Sequence, residues 1–543
     1  MIFCKTNLFF TPHLKNRAHV LKGNLMFEID QTSSQYTILQ SNRGPSGSIT
    51  DPAANAPIQK LLSGSNESNS VGMLGNLTYI FKGRYIMTAN ARLDGSSKFG
   101  RNQRWGMFPS FSAAWRFSEE PLIKDLKTLS TGKVRAGWGQ TGKQPDRAYD
   151  RHAIFNTADP NLYIDDPIII PQQIQLENLK WQTLSDWNLG LDVGLWKDRL
   201  TITGEIYRRV TTDILWEKYD IPHSTGFADL KWFNGGTLEN RGWELLVRGN
   251  AVRKADYSLS FNFNISNNIN SFLEFPNNFN TEVDLSTGNG QYPRKVSIGH
   301  PIGSFYGFRY QGVWASDEEV VALDENSNVI VNVNGEPVPL SYKGVYEFKG
   351  GDARYEDINH DGKIDLLDVV YLGDSNPRFT GGFGGNFAWR QLALSFQFHF
   401  RTGYQIVNEV AMNSEGMRNR NNQSKAVLNR WRVQGQDEPG MLPRAYMSHP
   451  ANNLGSDRYV EDGDFLRLNN LTLRYGLPKA FCSKVRLKSF ELALTMRKIL
   501  TLTRYSGQNP EIPQQSDDPF WFGTDRARTP TSKSFILSVS VGF

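Results

Sequence analysis

The last nine residues of the chain alternate strictly between two kinds of side chain. An extended backbone points successive side chains to opposite faces, so this pattern predicts a strand with one wholly apolar face. The apolar face carries Phe535, Leu537, Val539, Val541 and Phe543, and the other face carries Ile536, Ser538, Ser540 and Gly542. The strands of a soluble β-sandwich show the same alternation. This segment alone is therefore compatible both with a sandwich strand and with a lipid-facing strand of a membrane barrel.

The same two-faced pattern recurs at residues 85–94, 187–195, 257–266 and 392–401. No stretch approaches the roughly 18 to 20 uninterrupted apolar residues of a membrane helix, so a membrane role requires strands, for which about 9 to 11 residues suffice. The chain is 39% apolar, with 48 Gly, 33 Phe, 20 Tyr and 13 Trp. This composition suits two-faced strands with aromatic bands better than it suits a helical enzyme.

Connection lengths separate a sandwich from a barrel. We predict strands near 71–81, 84–94, 107–117, 133–141, 185–196, 199–209, 241–251, 256–267, 381–389, 391–401, 465–475, 486–496 and 534–543. Tight links alternate with the long segments 142–184, 268–380, 402–464 and 497–533. Short turns on one side and long extracellular loops on the other are typical of outer-membrane barrels, so we predict an all-β, antiparallel transmembrane β-barrel. The terminal strand ending at Phe543 then resembles the signal for the barrel-assembly machinery.

Two further strands near 23–30 and 35–40 bring the expected count to about 15, an odd number, whereas bacterial single-chain barrels normally close with an even one. Unpaired strand edges in lipid cost several kcal/mol for each unsatisfied backbone group. We therefore expect residues 1–70 to be an N-terminal barrel remnant with an uncertain start, residues 71–543 to be the C-terminal part of the barrel, and the plug domain to be absent. The lack of a readable export signal near Met1 agrees with this expectation.

Several ordered segments resemble the C-terminal half of SusC/RagA-family TonB-linked outer-membrane proteins. They are FPSFSAAWRFSEE (108–120), VRAGWGQTGK (134–143), LENLKWQTLSDWNLGLDVGLWKDRL (176–200), GTLENRGWELLV (236–247), GHPIGSFYGFRYQGVW (299–314), the stretch from DINHDGKID to GDSNPRFTGGF (357–383) and SDRYVEDGDFLRLNNLTLRYGLP (456–478). One local departure is Met496–Leu500, where the family often has a turn.

The resemblance implies a 22-stranded barrel in the Gram-negative outer membrane, an N-terminal plug, a segment engaged by TonB and a SusD-like surface lipoprotein. It implies TonB-dependent uptake of glycan or peptide oligomers, captured between the lipoprotein and the barrel. A non-energised porin or an adhesin-like structural barrel is the alternative, and a soluble glycan-binding protein made of several sandwiches is a third interpretation.

An acidic loop in the 268–380 segment has the ligand spacing of an EF-hand-like calcium site. The pattern D-x-N-x-D-G-x-x-D-x-x-D places oxygen ligands at Asp357, Asn359, Asp361, the Lys363 carbonyl, Asp365 and Asp368. The twelfth position holds Asp in place of the usual Glu, which shortens its bidentate reach. The alternative is a solvated Asp-Gly turn in which short polar side chains favour tight backbone.

Other chemistry finds little support in the sequence. Cys4 and Cys482 are the only cysteines, and there is no CxxC, HExxH, G-x-S-x-G or P-loop pattern. The net charge of +5 comes from scattered residues, which gives no case for nucleic acid. We therefore predict that the chain is not an enzyme and requires no cofactor, apart from the calcium ion considered above.

Overall fold

A computed structural model of the chain describes residues 2–41, 58–163, 166–227, 229–254, 256–276, 282–284, 290–436, 438–447, 449, 451–511, 523–527, 529 and 531–543. These residues divide into two compact units. The first comprises Met1–Val193, Glu205–Glu239 and Leu273–Pro276, and the second comprises Gly194–Gly204, Asn240–Phe272 and Asn277–Phe543. Within the described ranges, fifteen strands belong to the main sheet, eight mainly in the first unit and seven mainly in the second.

The first unit is built from strands that follow one another in sequence. They are β1 Ile2–Phe10, β2 His19–Ser41, β3 Ile58–Phe81, β4 Tyr85–Ser96, β5 Trp105–Trp115, β6 Leu129–Lys143, β7 Ile154–Tyr163, β8 Asp166–Gln173, β9 Gln182–Leu195, β10 Leu200–Thr212, β11 Leu215–Asp220 and β12 Asp229–Asn234. The order in its part of the main sheet is β1-β2-β3-β4-β5-β6-β9-β10. The pairs β7–β8 and β11–β12 form small separate hairpins in the connections.

The second unit adds the remaining strands and two short helices. They are β13 Thr237–Arg253, β14 Tyr257–Glu274, β15 Glu282–Asp284, β16 Arg294–Lys295, β17 Ser304–Gly307, β18 Tyr310–Val313, β19 Ser341–Tyr342, β20 Tyr346–Glu347, β21 Ala353–Tyr355, β22 Lys363–Ile364, β23 Val370–Asp374, β24 Phe379–Trp389, β25 Leu392–Thr402, β26 Gln405–Asn408, α1 Glu409–Glu415, β27 Val460–Asp462, β28 Phe465–Gly476, α2 Lys479–Lys484, β29 Ser489–Thr503, β30 Thr524–Asp525 and β31 Ser534–Gly542. Its main-sheet order is β13-β14-β24-β25-β28-β29-β31. The other strands form two- and three-stranded sheets in the long connections.

The thirteen strands predicted from residue 71 onward each coincide with a main-sheet strand, so the antiparallel fold class is confirmed. The prediction for the first 40 residues was wrong in detail. The segments 23–30 and 35–40 form one strand, β2, because the polar run from Gln31 to Gln35 continues the ladder and pairs with Ser65–Asn69 of β3. The segment Ile2–Phe10, which was not predicted as a strand, is β1 and pairs with β2. Two predicted strands form one observed strand and one observed strand was not predicted, so the main sheet still has the expected fifteen strands.

The strands have one exposed apolar face and one polar face. Met107 and Leu25 on the first unit are 64% and 62% exposed, and Phe535 and Leu537 on the second are 67% and 66% exposed. Contiguous apolar surface of this kind is rare on a water-soluble monomer, and a lipid bilayer removes its contact with water. Among the described residues, no helix is long and apolar enough to span a membrane.

The polar face of the first unit carries hydrogen bonds between neighbouring strands. The Asn90 amide donates to Ser110 Oγ at 2.9 Å and accepts a bond from the Asn76 amide, and the hydroxyls of Thr78 and Thr88 lie 3.2 Å apart. These residues are direct register partners in β3, β4 and β5. Such pairs stabilise the sheet and leave a hydrophilic inner surface.

The largest buried core of the second unit lies in its long connections. We call it the loop core, and it comprises Phe308, Trp314, Val320, Leu340, Tyr342, Phe348, Ala353, Tyr355, Ile364, Ala451 and Leu454. The fully buried Asp352 carboxylate lies beside it and accepts bonds from Arg444 Nε at 2.7 Å, Tyr346 Oη at 2.7 Å, Lys349 N at 2.9 Å and Asn452 Nδ2 at 3.0 Å. The core joins segments about 90 residues apart, which gives these loops a fixed structure.

Candidate functional site

The second unit contains a polar cavity of about 660 Å³ above the ends of β25, β28 and β29. Its walls come from the connection that follows β25 and from the connection that follows β29. The lining residues are Arg401, Asn408, Val410, Ala411, Ser414, Glu415, Ser506, Gly507, Gln508, Asn509, Glu511, Asp525, Ala527, Thr529 and Thr531. The volume lies within the usual range of small-molecule sites, about 300 to 1,000 Å³.

Arg467 of β28 attaches one wall of the cavity to the sheet. Its side chain is only 4% exposed, and its Nε donates to Thr501 Oγ1 of β29 at 3.1 Å. Its Nη2 donates to Asn509 Oδ1 at 2.8 Å, and its Nη1 bonds Glu511 Oε2. Hydrogen bonds to a charged, buried group are worth more than neutral ones, so this guanidinium fixes the position of the segment after β29.

Asn408 joins the two walls to each other. Its amide donates to Glu461 Oε1 at 2.7 Å and to Ser506 Oγ at 3.0 Å, and Ser506 Oγ in turn donates to Glu461 Oε1 at 2.7 Å. Its carbonyl oxygen accepts from Ala411 N at 2.9 Å and so caps α1. A parallel pairing of Asn408 with Asp525 adds β30 to the same corner. The cavity wall is therefore a hydrogen-bonded structure built from three separated segments.

Two ionisable side chains of opposite sign face the cavity without a hydrogen bond or ion pair to another described residue, Arg401 and Glu415. Burial raises the pKa of Glu415, which Glu461 also raises by repulsion and Arg458 lowers by attraction. A cation and a partly desolvated acid with free bonding capacity can bind polar groups of a ligand. The hydroxyl and amide groups of Ser414, Gln508 and other lining residues add neutral donors and acceptors.

The first half of the predicted calcium loop is a set of tight turns. The Asp357 carboxylate accepts from the backbone N–H groups of Asp361 at 3.3 Å and Gly362 at 2.8 Å. Asn359 Oδ1 also accepts from Asp361 N at 3.3 Å, and Asp361 Oδ1 accepts from Lys363 N at 2.9 Å. Gly362 has a φ of 80°, in the left-handed region that favours glycine, which fits the sharp turn expected there.

The second half of the loop is similarly bonded to its own backbone. Asp365 Oδ1 accepts from Leu367 N at 2.8 Å, and the buried Asp368 carboxylate accepts from Asp365 N and Ile358 N, both at 2.8 Å. Burial raises the pKa of both Asp357 and Asp368. Repulsion by Asp361 adds to the rise at Asp357, and repulsion by Asp357 adds to the rise at Asp368. In the described part of the chain no three acidic, His or Cys side chains are grouped to hold a metal. The calcium assignment stays a prediction.

The alternating C-terminal residues up to Val541 lie in β31, where Ile536, Ser538 and Ser540 on the other face are exposed as well, so the assembly-signal role stays a prediction. Phe535, Leu537, Val539, Val541 and Phe543 are 67%, 66%, 57%, 39% and 81% exposed. β31 pairs on one side with β29, from Ser489↔Gly542 to Arg497↔Ser534. The cavity residues, in contrast, were not predicted. The available signal was weak: Arg467 is a charged residue in β28, but Arg474 of the same strand is charged too.

Exposed apolar strand faces, polar inner faces and a polar site in long connections at one end of the strands define an outer-membrane β-barrel protein. Residues 9–492 match the family model for the TonB dependent receptor-like β-barrel, and the chain belongs to this family.

Relatives agree with this assignment. TonB-dependent receptor P3 of Formosa agariphila is 28% identical over 487 residues, which are 88% of this chain and 46% of the relative. TonB-dependent receptor SusC of Bacteroides thetaiotaomicron is 26% identical over 509 residues, 91% of this chain and 46% of SusC. The chain thus spans about half the length of the curated relatives it matches.

A solved structure shows the same fold. The RagAB peptide transporter aligns with a TM-score of 0.76 at 19% identity, covering 100% of this chain and 55% of the transporter chain. Together with the SusC match, this similarity confirms the SusC/RagA resemblance seen in the sequence.

Proposed function

We propose that the whole protein is a TonB-dependent receptor that imports glycan or peptide oligomers across the outer membrane, and that this chain supplies barrel strands and substrate-facing loops. A SusD-like surface lipoprotein presents the substrate, TonB supplies the energy, and no enzymatic step is involved. Family membership supports the transport class. The two substrate classes stay open, since RagAB is a peptide transporter and SusC is named only as a receptor.

The polar cavity carries this proposal. It lies at the end of the sheet where the connections are long, which is the extracellular end of an outer-membrane barrel. Arg401 and Glu415 offer one positive and one negative group, and their surroundings are held by the Arg467 and Asn408 networks. A fixed polar site facing the medium is suited to the first capture of a hydrophilic oligomer.

A transport assay in cells tests the proposal. A deletion strain is complemented with the wild-type gene, with Arg401→Gln/Glu415→Gln, or with Arg420→Gln, which removes an exposed loop charge away from the cavity. We expect uptake of labelled peptide or oligosaccharide pools by the wild type and the Arg420 variant, with a loss of about tenfold or more in the cavity variant, because charge-assisted hydrogen bonds contribute roughly 1.5 to 3 kcal/mol each.

A protonophore separates energised transport from diffusion. Uptake that stops when the inner-membrane proton gradient is dissipated supports the TonB-dependent receptor. Uptake that continues unchanged would indicate the non-energised porin. Wild-type uptake with no dependence on Arg401 and Glu415 would remove the cavity from the proposal while leaving the transport class in place.

We propose separately that the loop from Asp357 to Asp368 binds Ca²⁺ weakly. Its support is the ligand spacing of the sequence, which places four aspartates within twelve residues, and the well-formed turns of this loop. Burial raises the pKa of Asp357 and Asp368, and a cation would offset the smaller rise that comes from repulsion by Asp361 and Asp357. Weak affinity suffices outside the cell, where calcium sites work at Kd values of about 10⁻⁴ to 10⁻³ M.

A further inference from the structure

The short connections of the second unit carry an excess of positive charge. We call them the basic rim, and they comprise residues 196–199, 254–256, 390–391 and 477–488. Their charged residues are Lys197, Arg199, Lys254, Arg390, Lys479, Lys484, Arg486 and Lys488 against Asp198 and Asp256. All of these side chains are exposed. The rim therefore presents a net of six positive charges to its surroundings.

At the opposite ends of the strands, one long segment is strongly acidic. The segment between Trp314 and Tyr342, in the long connection that follows β14, contains six Asp and Glu residues and no Lys or Arg. The long connections contain basic residues too, but this segment does not share the excess of positive charge found at the turn end, which faces the periplasm in an outer-membrane barrel. A uniform excess of basic residues over the chain does not explain it.

A row of aromatic and aliphatic side chains runs along the sheet next to the rim. Antiparallel register partners share a face, and the partners follow one another across six strands as Tyr257, Trp389, Leu392, Tyr475, Leu492 and Val539. Trp389 is 53% exposed. Aromatic residues concentrate where hydrocarbon meets headgroups, so this row marks the level of the membrane interface.

Basic side chains lie within a few residues of this row and contact it. Lys254 Nζ lies 5.3 Å from the Tyr257 ring centre, and Arg390 Cζ lies 5.9 Å from the Trp389 ring centre. Long basic side chains at this depth keep their stems on apolar surface and extend their charges to the headgroup layer. The rim is therefore at the height of lipid phosphates.

The part of the basic rim that contains α2 exposes apolar side chains as well as basic ones. Phe481 and Val485 are exposed beside Lys479, Lys484 and Lys488, and no ion pair joins these three lysines to another residue in the described part of the chain. The neighbouring Cys482 is buried, and its thiol donates to the Leu477 carbonyl at 3.7 Å, which fixes the turn. Apolar and basic side chains exposed together are typical of segments that lie in a membrane interface.

We propose that the basic rim binds anionic phospholipid headgroups of the periplasmic leaflet. Phosphatidylglycerol provides the complementary charge at the level set by the aromatic row, and its acyl chains continue onto the exposed apolar face of β24, β25, β28, β29 and β31. The contact with α2 also positions the barrel relative to the membrane plane. This lipid selectivity is separate from substrate uptake and does not depend on the cavity.

Lipid retention measures the interaction directly. The full-length protein, purified from outer membranes in detergent, is mixed with equimolar phosphatidylglycerol and phosphatidylcholine, and bound lipids are counted by native mass spectrometry. The test variant is Lys479→Gln/Lys484→Gln/Lys488→Gln. The matched control is Lys349→Gln/Arg420→Gln/Lys425→Gln, which removes three exposed positive charges from the long connections. Heat-modifiable migration on gels verifies that each variant is assembled.

We expect the wild type and the control to retain phosphatidylglycerol preferentially, and the test variant to lose at least fivefold of that preference, since one lysine near an anionic surface contributes about a fivefold effect. High salt should weaken the preference, and inorganic phosphate at the same concentration as the lipid should not displace it. Any of four results overturns the proposal. The wild type shows no preference for phosphatidylglycerol, the test variant behaves like the wild type, the control loses the preference equally, or phosphate displaces the lipid. If the triple variant does not assemble, Lys479→Gln and Lys484→Gln answer the question singly.

Discussion

The buried ion pair between Arg444 and Asp352 gives the sharpest test of how the loop core is held. Replacing Arg444 by Met leaves the fully buried Asp352 carboxylate without its bidentate partner. Removing one member of a buried pair costs about 3 to 5 kcal/mol. Tyr346, Lys349 and Asn452 still donate hydrogen bonds to the carboxylate, and the Arg444 side chain is 29% exposed. We therefore expect the loop core to lose about 3 kcal/mol of stability, the lower end of this range.

Hydrogen exchange detects this loss locally. The amides of Trp314, Gly351 and Arg444 donate to the carbonyls of Asp352, Trp314 and Gly351 at 3.0, 2.7 and 2.7 Å. If they exchange through opening of the loop core, about 3 kcal/mol corresponds to roughly 100-fold faster exchange in Arg444→Met. Amides of the main sheet should keep their wild-type rates.

Two further variants give the control. Arg309→Met breaks the exposed pair with Glu356, at 3.2 Å, and should change the exchange rates less than about fivefold, because surface pairs contribute at most about 1 kcal/mol. Asp352→Asn/Arg444→Met removes the unpaired charge and should recover part of the protection. Exchange within threefold of wild type in Arg444→Met would show that this ion pair does not hold the loop core.

Three other predictions concern separate parts of the chain. Glu415→Gln should stabilise the loops by about 1 kcal/mol at pH 7, discounted for partial exposure, because burial raises the pKa of Glu415 and disfavours its charged form. In thermal melts the gain should decline once the pH falls below the raised pKa, and it should vanish below the ordinary pKa of Glu, about 4.3, where the side chain is neutral in both the folded and the unfolded state. Calcium at millimolar concentration should raise the melting temperature of the wild type but not of Asp361→Asn/Asp365→Asn, and a calorimetric titration without heat would refute the calcium site. Phe543→Ala should lower the heat-modifiable fraction in outer membranes severalfold while Ser540→Ala does not, and equal assembly of the two would contradict the signal role of the C-terminal strand.

The strands of this fold are predictable because lipid and water impose a simple alternation. Tyr257 to Ile265 and Leu392 to Phe400 display the period of two without interruption, and both lie in main-sheet strands. The pattern fails where both faces meet water. Gln31–Gln35 carries no apolar alternation, yet it continues β2, because pairing with β3 satisfies its backbone without any contribution from burial.

The site was beyond sequence reasoning for a different reason. The cavity wall brings together Asn408, Glu461 and Ser506, separated by 45 to 98 residues, and the loop core joins Asp352 to Arg444 across 92 residues. Nothing local distinguishes these side chains from other polar loop residues, because their partners are defined only by tertiary packing. The predicted calcium loop is the converse case, since its spacing is visible in sequence but each aspartate bonds nearby backbone.

β2 and β3 continue far past the length needed to cross hydrocarbon. They contain 23 and 24 residues, whereas about 9 to 11 residues suffice to cross the hydrocarbon. Roughly a dozen residue pairs of this two-stranded ladder therefore extend beyond the lipid tails, over a length of about 40 Å. Its outer rungs are rich in serine, asparagine and glutamine. A molecule approaching from the medium would meet this hydrophilic ladder well before it came near the bilayer.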